Sequence, residues 1–174
     1  MEEKFVGMRI IRPPEPLNTA LFVDTSTGWG ISLILDGKWL AWEFKDGWNS
    51  DNHEIGWAEM VAVELAIRTL ITKKISKCHV IVHSDNKGVV GALGAGRSPG
   101  MQQNLILGEI VKLMQENELW ISTTWISTVD NPADGLSRGI FPGRKSLCAF
   151  PPKIPYHLTD LLHNAVTYHD PRLH

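Results

Sequence analysis

At 174 residues the chain is long enough for one domain with a sizeable core and too short for two ordinary ones. A composition that is 43% hydrophobic and 21% charged argues against disorder, and no apolar run approaches the roughly 20 residues that span a bilayer. The formal charge of −2 and pI near 6.4 argue against a protein that grips nucleic acid by bulk electrostatics and leave room only for a local basic strip. Cys78 and Cys148 stand far apart without CxxC spacing, so neither a disulfide framework nor a structural zinc site is indicated. With no signal-peptide core in MEEKFVGMRIIRPPEP, the expected setting is reducing and intracellular, cytoplasmic or nuclear.

Residues 1–18, with Pro13, Pro14 and Pro16, read as an extended lead-in. ALFVD, GISLILD and KWLAWEF then read as three strands of an antiparallel meander, the last two joined by a tight turn at Asp36-Gly37. The dense apolar run IGWAEMVAVELAIRTLITKK predicts a helix buried on much of its circumference, with Lys73 and Lys74 suited to its C-terminal end. HVIVHSD predicts a short buried strand, NKGVVGALGAG a glycine-weakened helix, MQQNLILGEIVKLMQEN a second amphipathic helix and LWISTTWIS a final strand.

In VDNPADGLSRG, Asn131 suits an N-cap, Pro132 the first helical position and Asp134 the first turn, which predicts a last helix. From Phe141 the texture changes to a proline-rich stretch, 141–174, expected to be an arm on the domain or a linker, with a short helix possible in YHLTDLLHNAV. The core domain is thus expected over 19–140. Three strands, helix, strand, two helices, strand and helix favour an α/β fold with a mixed sheet and helices on its faces.

Four acids fall at element ends that such a sheet would bring side by side. Asp24 closes the first strand, Asp85 closes the fourth, Glu59 lies early in the long helix, and Asp134 starts the last one. If the first and fourth strands are parallel neighbours, their carboxyl ends share one edge, the usual ligand crevice of open α/β sheets. Carboxylates crowded there would need a cation, and hard oxygen ligands suit Mg²⁺ or Mn²⁺. Two such ions would give phosphodiester hydrolysis. Each acid also has a plain structural role open to it, as strand end, exposed helix residue or capping acid.

FVDTSTGWG, WAEMVAVELAI, VHSDNKGVVGAL and NPADGLSRG, in this order, resemble the ribonuclease H domain that follows reverse transcriptase in retroelement polyproteins, particularly those of fungal retrotransposons. The similarity covers roughly Leu21 to Gly139. It implies a ribonuclease H-like fold, with a five-stranded mixed sheet of three antiparallel then two parallel strands flanked by helices. It also implies hydrolysis of the RNA strand of RNA/DNA hybrids with two Mg²⁺ ions, Mn²⁺ substituting, and a reverse transcriptase domain as a partner in the same polyprotein. By position, Asp24, Glu59, Asp85 and Asp134 match the catalytic, metal-binding acids, while Ser26, Asn86, Lys87, Arg97 and Arg138 are expected at the nucleic acid.

Glu64 competes with Glu59 on the same helix but is rotated from it by roughly 140°, and the spacing of Ala62 and Ala66 after Glu59 favours Glu59. Three departures from the cellular members stand out: no histidine in the loop STVDN, GAGRSPG in place of a basic protrusion, and Thr25 after the first aspartate. Compared with those members, slower turnover is expected, and hybrid binding that depends on a partner domain or on a few residues such as Lys87 and Arg97. His83, and the loosely spaced His157, His163 and His169, read as structural, as do Trp29 and Trp57. The alternative is a non-catalytic module of the same fold. An exonuclease is disfavoured by Asp24-Thr25-Ser26, which lacks D-x-E, and an integrase by a set that closes on Asp134 instead of glutamate.

Overall fold

A computed structural model describes residues 13–98 and 100–173. Strands β1 (Leu21–Thr25), β2 (Gly30–Leu35), β3 (Lys38–Glu43), β4 (Cys78–Ser84) and β5 (Leu119–Trp125) form one sheet in the order β3-β2-β1-β4-β5. The first three are antiparallel, whereas β4 runs parallel to both β1 and β5. The β2–β3 turn has positive φ at Asp36 (50°) and Gly37 (80°), the primed geometry whose twist matches that of the flanking strands. A Cβ on Gly30 would overlap the Trp42 carbonyl, so the start of β2 requires glycine.

Helices α1 (Ile55–Thr72), α2 (Lys87–Ala95) and α3 (Met101–Glu116) complete an α/β architecture with the topology of the ribonuclease H-like superfamily. α1 is buried without a break from Trp57 to Ile67, which explains its apolar residues on every side. It packs on β1 and β2, against α3, and within the same cluster as Ile154, Leu158 and Leu162 from the C-terminal stretch. The sheet side of this core is Leu21, Val23, Ile31, Leu33, Val80 and Val82, alternating as strands require.

The helix expected from Asn131 does not form. Residues 132–135 are a turn, followed by a single 3₁₀ turn at Leu136–Arg138. Asn131 is drawn into other bonds: its Nδ2 donates to the Val23 carbonyl (2.9 Å) and its Oδ1 accepts from Ala133 N (3.1 Å). Gly139, at φ 80°, then ends the segment, with Ile140 N donating back to the Gly135 carbonyl (3.0 Å) as in a Schellman closure.

Within residues 141–173, the parts around Cys148 and from Leu162 to Val166 lie along β3, while Ile154 and Leu158 pack with α1. Cys148 N, Val166 N and His163 N donate to the carbonyls of Trp39, Ala41 and Glu43, each at 2.9 Å, and so cover the sheet edge. Leu147, Val166 and Leu173 pack with Trp39, Ala41 and Leu136 in a second apolar cluster. Where a short helix was possible in YHLTDLLHNAV, one 3₁₀ turn stands at Tyr156–Leu158, because this segment pairs with the strand instead of coiling on itself. Of the lead-in, Leu17 N donates to the His79 carbonyl (2.8 Å), while residues 1–12 lie outside the described residues. Among the described residues, no helix is long and apolar enough to cross a membrane.

Candidate active site

The parallel pairing of β1 with β4 carries Asp24, the penultimate residue of β1, next to Asp85, one residue beyond β4. α1 begins above the same edge and lowers Glu59 onto it. One carboxylate oxygen from each of Asp24, Glu59 and Asp85 lies within 4.8 Å of the others. Asp24 and Glu59 are buried and Asp85 is half-buried.

The electrostatics follow from this crowding. Burial, and then the charges of Asp24 and Asp85, push the Glu59 carboxyl up to about 9. Burial also lifts Asp24 to about 7; the Ser137 hydroxyl at 2.7 Å from its Oδ2 works against this, and the charges of Asp85 and Asp134 add to it. Glu59 Oε2 is buried with no hydrogen-bond partner. An orphaned carboxylate oxygen beside two more carboxylates lacks only a positive charge, so a hard divalent cation fits these residues.

Asp134 does not join the triad. Its Oδ2 is 2.6 Å from Arg138 Nη2, an i,i+4 ion pair that turns the carboxylate outward, although its charge still reaches Asp24. The loop carrying it is seated firmly: Asn131 is bonded to β1, and Ser32 Oγ on β2 donates to the Ala133 carbonyl (2.8 Å). Through this seat Ser137 reaches Asp24, a neighbour that sequence reasoning missed, although the hydroxyl sits three residues after Asp134.

Glu64 occupies the opposite side of α1. It is fully buried and bonded to Arg68 Nε (2.8 Å) and His157 Nε2 (3.0 Å), with Arg68 reaching on to Glu109 (3.1 Å). Its bond raises His157 above the usual histidine value.

The residues expected at the nucleic acid are distributed unevenly. Arg138 is spent on Asp134. Ser26 Oγ accepts from Gly28 N in the β1–β2 turn, and Asn86 Oδ1 caps α2 through Val89 N (2.9 Å). Lys87 is exposed at the first residue of α2, and Arg97 is exposed in the loop that leaves it. Trp57 stacks on His53 within the core and Trp29 meets Phe141 edge-on, so both are packing residues. His83 stacks on Phe22.

Two further residues hold Asp85. Thr128 Oγ1 donates to its Oδ2 (3.0 Å), and the Trp125 indole donates to its backbone carbonyl (3.2 Å). A cavity of about 650 Å³ is remote from the acids, at the other end of β5 among Lys77, Val111, Met114 and Trp120. The acid cluster sits instead at an open sheet edge, and its chemistry, not its depth, marks it as the site.

No protein-family model matches the chain, and no curated protein matches it. The assignment therefore stands on geometry: a ribonuclease H-like fold with an acidic triad at the carboxyl edge of its central parallel strands, which is consistent with a nuclease active site.

Proposed function

We propose that the protein is a metal-dependent endonuclease that hydrolyses the RNA strand of RNA/DNA hybrids and forms the ribonuclease H part of a retroelement polyprotein. The observation that carries this reading is the convergence of Asp24, Glu59 and Asp85 around a buried, unpartnered Glu59 oxygen. These residues would hold Mg²⁺, or Mn²⁺ in its place, because a set of carboxylate oxygens suits such ions. Once bound, two ions would supply an activated water and neutralise the departing oxygen.

The protein's own part is positioning. Asp24 is fixed by β1 and by Ser137, while Thr128 and Trp125 fix the side chain and backbone of Asp85. Both raised carboxyls must lose their protons before they can ligate, so binding releases protons. Asp134 is a fourth ligand only if Arg138 lets it go. The resemblance further suggests a reverse transcriptase domain as partner, and the cysteine usage fits an intracellular setting, cytoplasmic or nuclear.

The test is cleavage of labelled substrates with Mg²⁺ or Mn²⁺. Hybrid RNA should be cut and duplex DNA left intact, and Asp85→Asn should abolish cutting with its fold preserved. Retained cleavage in that variant would overturn the assignment. A second reading, a non-catalytic module of the same fold, is favoured by the Arg138–Asp134 ion pair, which withholds one acid from the cluster. It predicts no rise in melting temperature on adding Mn²⁺, whereas the enzyme must show one.

A further inference from the structure

Tryptophan seldom faces solvent, and six of the seven in this chain are buried or half-buried. Trp125 is 46% exposed. It is the last residue of β5, opposite Ser84 in the β4 register, and its indole N–H is tied to the carbonyl of Asp85. The ring is thereby fixed at the rim of the acid triad. The Lys87 ammonium lies 4.8 Å from the ring centroid, so a cation and an aromatic surface stand together beside Asp85.

Leu119 and Ile121 on the same strand face pack against the core, whereas Trp125 keeps nearly half of its surface in solvent. An exposed indole beside a cation matches the chemistry of a nucleotide, with a flat π surface for the base and an ammonium for its phosphate. In a protein of net charge −2, phosphate contacts alone cannot supply the grip, and stacking adds a contribution that does not depend on charge. Stacking of this kind needs a free base face, which a continuous duplex hides and an unpaired nucleotide offers.

We propose that Trp125 and Lys87 form a nucleotide-stacking subsite that takes an unpaired base next to the cleaved phosphodiester, so that the preferred substrate is a hybrid with a single-stranded junction. This rests on the nuclease reading for the identity of the site but not for its test. Binding is measured by fluorescence anisotropy without divalent metal, on a blunt RNA/DNA hybrid and on one with a single-stranded extension.

The wild-type protein should prefer the junction by about tenfold, the scale of one stacked base. Trp125→Leu, which keeps an apolar side chain but no ring, should bind both alike, and Trp125→Phe should restore the preference. Lys87→Gln should weaken both and lower the salt dependence by about one phosphate contact. Circular dichroism and melting temperature establish that each variant is folded. If Trp125→Leu keeps the junction preference, or the wild-type protein shows none, the subsite is refuted. Cleavage of hybrid RNA by the wild-type protein is scored separately: cutting together with a Trp125→Leu variant that still prefers junctions sinks the subsite alone, and a lost preference without any cutting sinks the nuclease alone.

Discussion

Ser137 Oγ lies 2.7 Å from Asp24 Oδ2, both residues buried, with 113 positions of sequence between them. The same oxygen is 2.9 Å from the Asp134 carbonyl. A hydroxyl has one proton, so it serves the Asp24 carboxylate when that group is ionised and can turn to the carbonyl when Asp24 carries its own proton. The contact exists only because Asn131 and Ser32 clamp the loop to β1 and β2.

Ser137→Ala should therefore raise the Asp24 carboxyl above its value of about 7, since the hydroxyl opposes burial there more than the backbone bond at Thr25 does. More proton competition means weaker metal binding at neutral pH. Loss of one hydrogen bond to a charged group is worth about 1.5–3 kcal/mol, so the apparent Kd for Mn²⁺ should rise by about tenfold or more, read by calorimetry at pH 7. The deficit should shrink at pH 9. A constant deficit across pH would mean that Ser137 acts only through the shape of the loop.

The metal-free protein should lose stability as pH rises. Asp24 and Glu59 have native values, about 7 and about 9, above their ordinary 3.8 and 4.5, so between these limits the native state binds more protons than the unfolded chain. Stability present at low pH is then withdrawn as pH climbs through 7 and 9. His157, raised by Glu64, gives a loss of the same sign, so the comparison is made in a His157→Gln background. In chelator, the melting temperature should fall from pH 5.5 to 9. Saturating Mn²⁺ should reverse the slope, because metal binding displaces those protons. A flat profile in chelator would contradict the crowding of the acids.

Much of this arrangement was legible in the sequence, and the parts that were not have physical causes. Alternating apolar residues and the Asp36-Gly37 turn marked the meander, and strand ends marked Asp24 and Asp85. The alanines after Glu59 pointed to the acid that does face the triad, with Glu64 on the far side of α1. The loop after Asn131 was misread because capping signals are local, whereas the bonds that decide it come from Val23 and Ser32, about a hundred residues earlier. Trp125 gave no signal of its own, since a strand-end tryptophan reads as core until its neighbours are known. The distant partner of Glu64 was equally hidden: His157 lies 93 positions away in a proline-rich stretch, and nothing local ties it to α1.

The two glutamates of α1 should separate cleanly on mutation. Glu59→Gln replaces a carboxyl that burial keeps protonated at neutral pH with a neutral amide of the same shape, and removes no bond from its Oε2, so it should leave stability nearly unchanged while abolishing the thermal response to Mn²⁺. Glu64→Gln removes the fully buried carboxylate that the partly exposed Arg68 and the exposed His157 share, and should cost about 1–2 kcal/mol in urea unfolding with the metal response intact. The opposite pattern would place the metal on the wrong face of the helix.

Gly139 ties the loop of Asp134 and Ser137 to the C-terminal stretch. Its φ of 80° favours glycine, and a Cβ there would come within 2.8 Å of Trp29 Nε1. Trp29 in turn meets Phe141, which stacks on Trp39 at 5.2 Å. Gly139→Ala therefore has to strain the backbone and displace an indole that braces Phe141, and should destabilise the fold by about 2 kcal/mol. Because Leu136 packs in the same cluster, the shift should pass to Ser137 and weaken Mn²⁺ binding as well. Gly143→Ala, where a Cβ meets nothing, is the control: its unfolding midpoint and metal affinity should match the wild-type values. If Gly139→Ala loses stability but binds Mn²⁺ normally, the loop holding Asp134 and Ser137 is independent of the stretch that follows it.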